Sequence, residues 1–122
     1  MADSCLFEYN RYMTKLENGI RVWTTYMVRC RDGSLYTGYT VGDAARRCAV
    51  HNSGRGARYT RSRLPVTLVW QHAFPSAHDA RSCEALVKRL TKKEKETMAA
   101  AYGAGREETL PEKIREKMAA NG

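Results

Sequence analysis

Nowhere among the 122 residues is there an apolar run of the ~18 or more that a membrane-spanning helix needs, so no membrane partner is expected. The first twenty residues contain Asp3, Glu8, Arg11, Lys15 and Glu17 but no apolar stretch of the kind that directs secretion. A cytoplasmic location is therefore expected. The four cysteines, Cys5, Cys30, Cys48 and Cys83, include no C-x-x-C pair, which removes the dithiol redox motif. Cys48 and His51 stand three apart, but no second close pair completes the four ligands of a structural zinc site. Internal repeats and low-complexity tracts are also missing. Finally, the stretch from Ala44 to Arg63 contains no acidic residue.

That last gap locates the charge. The chain carries a net +8, and residues 21–63 hold nine basic side chains against two acidic ones. Arg46, Arg47, Arg55, Arg58, Arg61 and Arg63 fall together, with Tyr59 among them. Arginine suits phosphate because its planar fork donates in pairs. A basic cluster with an aromatic inside it points to a nucleic-acid surface, Tyr59 being placed to stack on a base. With 43% hydrophobic residues the chain has enough apolar material for one folded domain.

Along the chain, R-V-W-T-T-Y-M-V-R (21–29) and L-Y-T-G-Y-T (35–40) are rich in β-branched and aromatic residues, and Asp32-Gly33 between them signals a two-residue hairpin turn. Gly38 in the second run marks a bulge or a close approach of backbone or ligand. A helix follows over A-A-R-R-C-A-V-H-N, with Thr40 and Asp43 spaced as a capping box and Gly54 as its stop. G-A-R-Y-T-R-S-R-L-P reads as a basic loop or short helical turn, and V-T-L-V-W-Q-H-A-F as a third strand. Ser76 with Asp79, Thr91 with Glu94, and Thr109 with Glu112 then open three further helices. The expected organisation is an N-terminal extension (1–20), a domain of three strands and flanking helices (21–101) and a helical tail (102–122).

Glu84 is out of place in this pattern. Ala80, Glu84 and Val87 stand at helical spacing, so a carboxylate occupies a position that periodicity gives to an apolar residue. Such a group needs a partner, either Arg81 or Lys88 on its own helix or a bound cation.

These residues resemble the GIY-YIG nuclease family. T-T-Y (24–26) stands where that family has its first motif and Y-T-G (36–38) where it has its second, which places the two tyrosines ten positions apart. The helix after them, the G-A-R-Y-T-R segment and a later helix with a lone glutamate complete the order of the small single-domain bacterial branch. Thr24 and Thr25 replace the first motif's glycine and isoleucine. The spacing from Gly38 to the helix arginine is one residue longer than usual, so Arg46 rivals Arg47 for that role, and Tyr39 stands where some members have lysine.

The resemblance implies an α+β fold, a three-stranded antiparallel sheet flanked by helices. It implies a metal-dependent endonuclease using one Mg²⁺ or Mn²⁺, with Tyr26, Tyr36, Arg47, His51 and Glu84 as the catalytic set and Glu84 as the metal ligand. Either tyrosine remains a candidate for the proton acceptor. DNA is the expected partner, with RNA as an alternative, through Arg46, Arg55, Arg58, Tyr59, Arg61 and Arg63. Branched, nicked or single-stranded DNA, as met in repair, suits so small a domain. The competing expectation is a module that binds DNA or RNA without cutting it, and the tail helix is a candidate site for a larger protein partner.

Overall fold

The structure is a computed structural model that describes residues 22–121; the extension expected over residues 1–20 lies outside the described residues. Strand β1 (Trp23–Arg29) is buried along nearly its whole length, because it is the middle strand of an antiparallel sheet covered on both faces. Strand β2 (Leu35–Val41) pairs on one side, with Tyr26 opposite Gly38. Strand β3 (Thr67–Phe74) pairs on the other, giving the order β2-β1-β3. The three antiparallel strands with flanking helices are the α+β architecture that the sequence led us to expect.

Alternation along β1 divides the core in two. Tyr26 and Val28 face helix α1 (Ala44–Asn52), where they meet Ala44, Ala45, Cys48, Val66 and Leu68. Met27 faces α3 (Ala77–Lys88) and α4 (Lys92–Gly103), packing with Trp70, Cys83, Val87 and Met98. The short helix α2 (Arg58–Arg61) lies in the basic segment. Leu68 and Trp70 would share a face in a regular strand, yet they serve opposite clusters. The cause is a bulge: Met27 pairs with Trp70 but Val28 with Leu68, leaving Val69 as the extra residue.

Two expected turns differ in detail. The hairpin loop has three residues, Arg31 to Gly33, rather than two. Gly33 N–H donates to the Cys30 carbonyl at 2.9 Å, Cys30 N–H donates to the Ser34 carbonyl at 2.8 Å, and Gly33 adopts φ +86°. This is a turn closed by a left-handed glycine, which Asp-Gly serves as well as the shorter form. Helix α1 is capped by Asp43 itself, whose carboxylate accepts the Arg46 N–H at 2.6 Å. Thr40 takes no part in a capping box. The expected caps at Ser76 and at Thr91 with Glu94 both form.

The third expected cap is replaced by something else. The Thr109 hydroxyl accepts the indole N–H of Trp70 at 2.9 Å, and helix α5 (Glu112–Asn121) starts without it. Leu110 and Ile114 are buried in the Trp70 cluster, and Met118 packs against it. The apolar side of α5 is thus spent within the molecule. Among the described residues no helix is long and apolar enough to cross a membrane. Thr109→Val should leave a buried indole N–H without its acceptor and lower stability by about 1–3 kcal/mol. Chemical denaturation checks this, and Thr109→Ser should restore most of the loss.

Candidate active site

The site grows from the middle of the sheet. Tyr26 is 1% exposed, and its ring lies over its cross-strand partner Gly38. A Cβ at position 38 would stand 2.7 Å from Tyr26 Oη and 2.9 Å from Cζ. Glycine is therefore required by the phenol, and the approach signalled by L-Y-T-G-Y-T is that of a neighbouring strand's side chain. On the far side of the phenol, His51 Nε2 lies 2.8 Å from Oη. This joins sheet to helix, since His51 stands at the C-terminal end of α1 on the buried side.

His51 is itself enclosed by the segment that follows it. Gly54 turns the chain with φ +84°, and Gly56 comes down directly on the imidazole: a Cβ there would collide with Nδ1 and stand 2.7 Å from the His51 Cα. Thr60 Oγ1 lies 2.8 Å from Nδ1 and the Ala57 N–H donates to the same nitrogen at 3.3 Å. Burial first, and then the charge of Arg47, push the His51 pKa down to about 4, so the ring is neutral at physiological pH.

Arg47, one turn before His51, places its charge beside the Tyr26 phenol. Burial pushes the pKa of that phenol up to about 12, Arg47 opposes the rise, and Tyr36 and Glu84 add to it. Arg46 points to solvent. Arg47 is half-buried on the side of Tyr26 and His51, whereas Arg46 is exposed. Tyr36 completes the group. Its ring meets His51 edge to face at 5.4 Å and stacks on Tyr59 at 6.0 Å with an interplanar angle of 20°.

Glu84 arrives from α3, the helix on the opposite face of the sheet. It nonetheless lies within electrostatic reach of the Tyr26 phenol, as the last of the influences on its pKa. Its side chain is 19% exposed and pairs with Lys88 at 3.3 Å. Lys88 is 53% exposed, so the pair is weak and open to exchange. Among the described residues no three His, Cys, Asp or Glu side chains converge to hold a metal. An ion here would rest on one carboxylate and leave its other positions to water and phosphate oxygens. That donor set fits Mg²⁺ or Mn²⁺, hard cations that keep most of their water.

The basic surface is less uniform than its sequence. Arg46, Arg55, Arg58 and Arg61 are exposed. Arg63 is committed: it donates to Asp32 at 3.1 Å and to the Tyr59 carbonyl at 2.8 Å, with its guanidinium carbon 3.9 Å from the centre of the Tyr59 ring. Tyr59 is 41% exposed and is held between these partners.

The three-stranded sheet with flanking helices carries two phenols, a guanidinium and an imidazole beside its central strand, and the family to which it belongs is one of nucleases. Residues 22–97 match the model of the GIY-YIG catalytic domain, and the chain belongs to that family, a nuclease family that in general works with divalent metals. It is 55% identical over 71 residues to a UPF0213 protein of Streptococcus pneumoniae serotype 4, covering 58% of this chain and 71% of that protein. It is also 46% identical over 84 residues to the UPF0213 protein BH0048 of Halalkalibacterium halodurans, covering 69% and 88%. A solution NMR structure of the UPF0213 protein BH0048 from Bacillus halodurans matches at 46% identity with a TM-score of 0.42, over 65% of this chain and 83% of that one.

Gly56, Ala57 and Thr60 escaped the sequence reading. Their contacts with His51 run through a loop, where no helical or strand period links the positions. The one available signal was Gly56 itself, a second glycine two residues after a helix stop. Two outcomes follow from the geometry. Gly38→Ala should lower stability by about 1–3 kcal/mol through overpacking against the phenol, and combined with Tyr26→Phe it should cost less than the sum of the two; denaturant titration of the four proteins measures this. The unfolded chain takes up a proton on His51 near its ordinary 6.5, the folded one only near 4. Stability should therefore fall by up to about 3 kcal/mol as pH drops through that window, and His51→Gln should flatten the slope of stability against pH.

Proposed function

We propose that this protein is a metal-dependent endonuclease that hydrolyses phosphodiester bonds in DNA. The observation that carries the reading is the hydrogen bond between Tyr26 and His51, with the Arg47 charge beside the phenol, Tyr36 against the imidazole and Glu84 within electrostatic reach. Cutting needs an aligned water, relief of the charge that grows on the phosphoryl oxygens, and a proton acceptor.

Arg47 supplies a fork for the scissile phosphate, and its charge also favours the anion of a neighbouring phenol. Tyr26 or Tyr36 takes the proton of the attacking water. Glu84 would hold one Mg²⁺ or Mn²⁺, which when bound neutralises charge on the phosphate and lowers the pKa of a bound water. The exposed Arg46, Arg55, Arg58 and Arg61 hold the flanking backbone, and the small surface favours branched, nicked or single-stranded DNA over a long sequence-specific site.

The experiment is nicking of labelled branched, nicked and linear DNA with Mg²⁺ or Mn²⁺. We expect cutting by the wild type, none by Glu84→Ala, and a loss of the order of 10²–10³-fold in Arg47→Ala. Arg58→Gln should weaken binding across all sequences and lower the salt dependence by roughly one counterion. The competing reading is a module that holds nucleic acid without cutting, and the Glu84–Lys88 pair favours it. It would be upheld by salt-sensitive binding that Glu84→Ala leaves unchanged, with no cleavage under either metal.

A further inference from the structure

Between Tyr26 Oη and His51 Nε2, 2.8 Å apart, either atom can be the donor. The direction is decided on the far side of the imidazole. There the Ala57 amide aims its N–H at Nδ1 from 3.3 Å. A backbone N–H neither rotates nor gives up its proton, so Nδ1 must present a lone pair. The Thr60 hydroxyl, 2.8 Å from Nδ1, can rotate. Its alternative acceptor is the Ala57 carbonyl at 2.9 Å, which already receives the N–H groups of Thr60 and Arg61 at 3.1 and 3.2 Å. The hydroxyl proton is thus free to join the amide at Nδ1. A neutral imidazole has a single N–H, and with Nδ1 bare it sits on Nε2.

We propose that Gly56, Ala57 and Thr60 form a tautomer lock that keeps His51 in its Nε2–H form, a fixed hydrogen-bond donor to the Tyr26 phenol oxygen, with Thr60 as a positioning residue. Gly56 makes the lock possible, because any side chain there would hold the Ala57 amide off the ring. The charge of Arg47 bears on the same phenol oxygen. With His51 donating to that oxygen, the phenol does not spend its own proton on the imidazole, and once that proton has left the anion keeps the His51 hydrogen bond beside the Arg47 charge. Tyr36 meets the imidazole with its ring. The lock therefore singles out Tyr26 as the phenol whose anion is supported. This consequence for catalysis rests on the nuclease reading above; the tautomer itself does not.

The test is a two-bond ¹H–¹⁵N correlation spectrum of the intact protein at neutral pH, which separates a protonated ring nitrogen from a bare one. In the wild type His51 is expected to show a protonated Nε2 and a bare Nδ1, and Thr60→Ser should look the same. Thr60→Val removes one of the two donors at Nδ1 and should shift part of the population to the other tautomer. Its kcat should fall about tenfold with KM unchanged, and Thr60→Ser should recover it. A protonated Nδ1 in the wild type overturns the proposal, as would serine and valine variants that match in tautomer and in rate. The wild-type spectrum needs no variant, so it decides even if Thr60→Val does not fold. If the wild type cuts no DNA, the nuclease reading fails while the spectrum still judges the lock.

Discussion

The hydrogen bond between Tyr26 and His51 is the constraint around which the rest of the site is arranged. Both rings are almost fully buried, and leaving either polar tip unpaired in such a place costs about 1–3 kcal/mol. Satisfying both tips at once fixes the distance between the central strand and helix α1. Gly38 must then be bare, Gly56 must be bare, and the loop after α1 must fold back until its amide and a threonine hydroxyl reach the other ring nitrogen. The geometry of the candidate site and the stability of the fold rest here on the same set of contacts, so substitutions in the cluster change both.

The local charge follows from this frame. Arg47 is half-buried with its charge beside the phenol, whereas Arg46, at the preceding position of the same helix, is left to solvent. Arg63 ties the hairpin turn at Asp32 to the backbone of α2 and lies over the Tyr59 ring. Six arginines that read alike in the sequence therefore divide into one beside the Tyr26 phenol, one brace and four open cations. Only the open ones add freely to the attraction of a polyanion.

What was legible in the sequence was mostly what is decided within four residues. Ser76, and Thr91 with Glu94, are capping residues whose partners lie three positions on, and both caps form. The strands were visible because β-branched and aromatic runs have few other uses, and the paired tyrosines because their order and spacing match a family pattern. Misreadings came where a competing partner was distant. Thr109 has the spacing of a cap but meets the indole of Trp70, 39 positions away. Thr60 reaches His51 across a loop with no regular period. The bulge that sends Leu68 and Trp70 to opposite faces is not visible in V-T-L-V-W, because it depends on how β3 registers against β1. Glu84 stood out as misplaced, but helical spacing could not say that it would pair with Lys88 and also lie within electrostatic reach of a phenol on the central strand.

The placement of α5 bears on how far this domain can be trimmed. The region matched by the family model ends at residue 97, yet Leu110 and Ile114 cover Trp70 and Thr109 satisfies its indole. A chain cut at that boundary would present a bare tryptophan, with its neighbours Cys83 and Val87, to water, and with it a sticky apolar face of the kind that drives self-association. Leu110, Ile114 and Met118 cover the half of the core that lies away from the phenols. Their loss would register first as insolubility, before any change at the phenols.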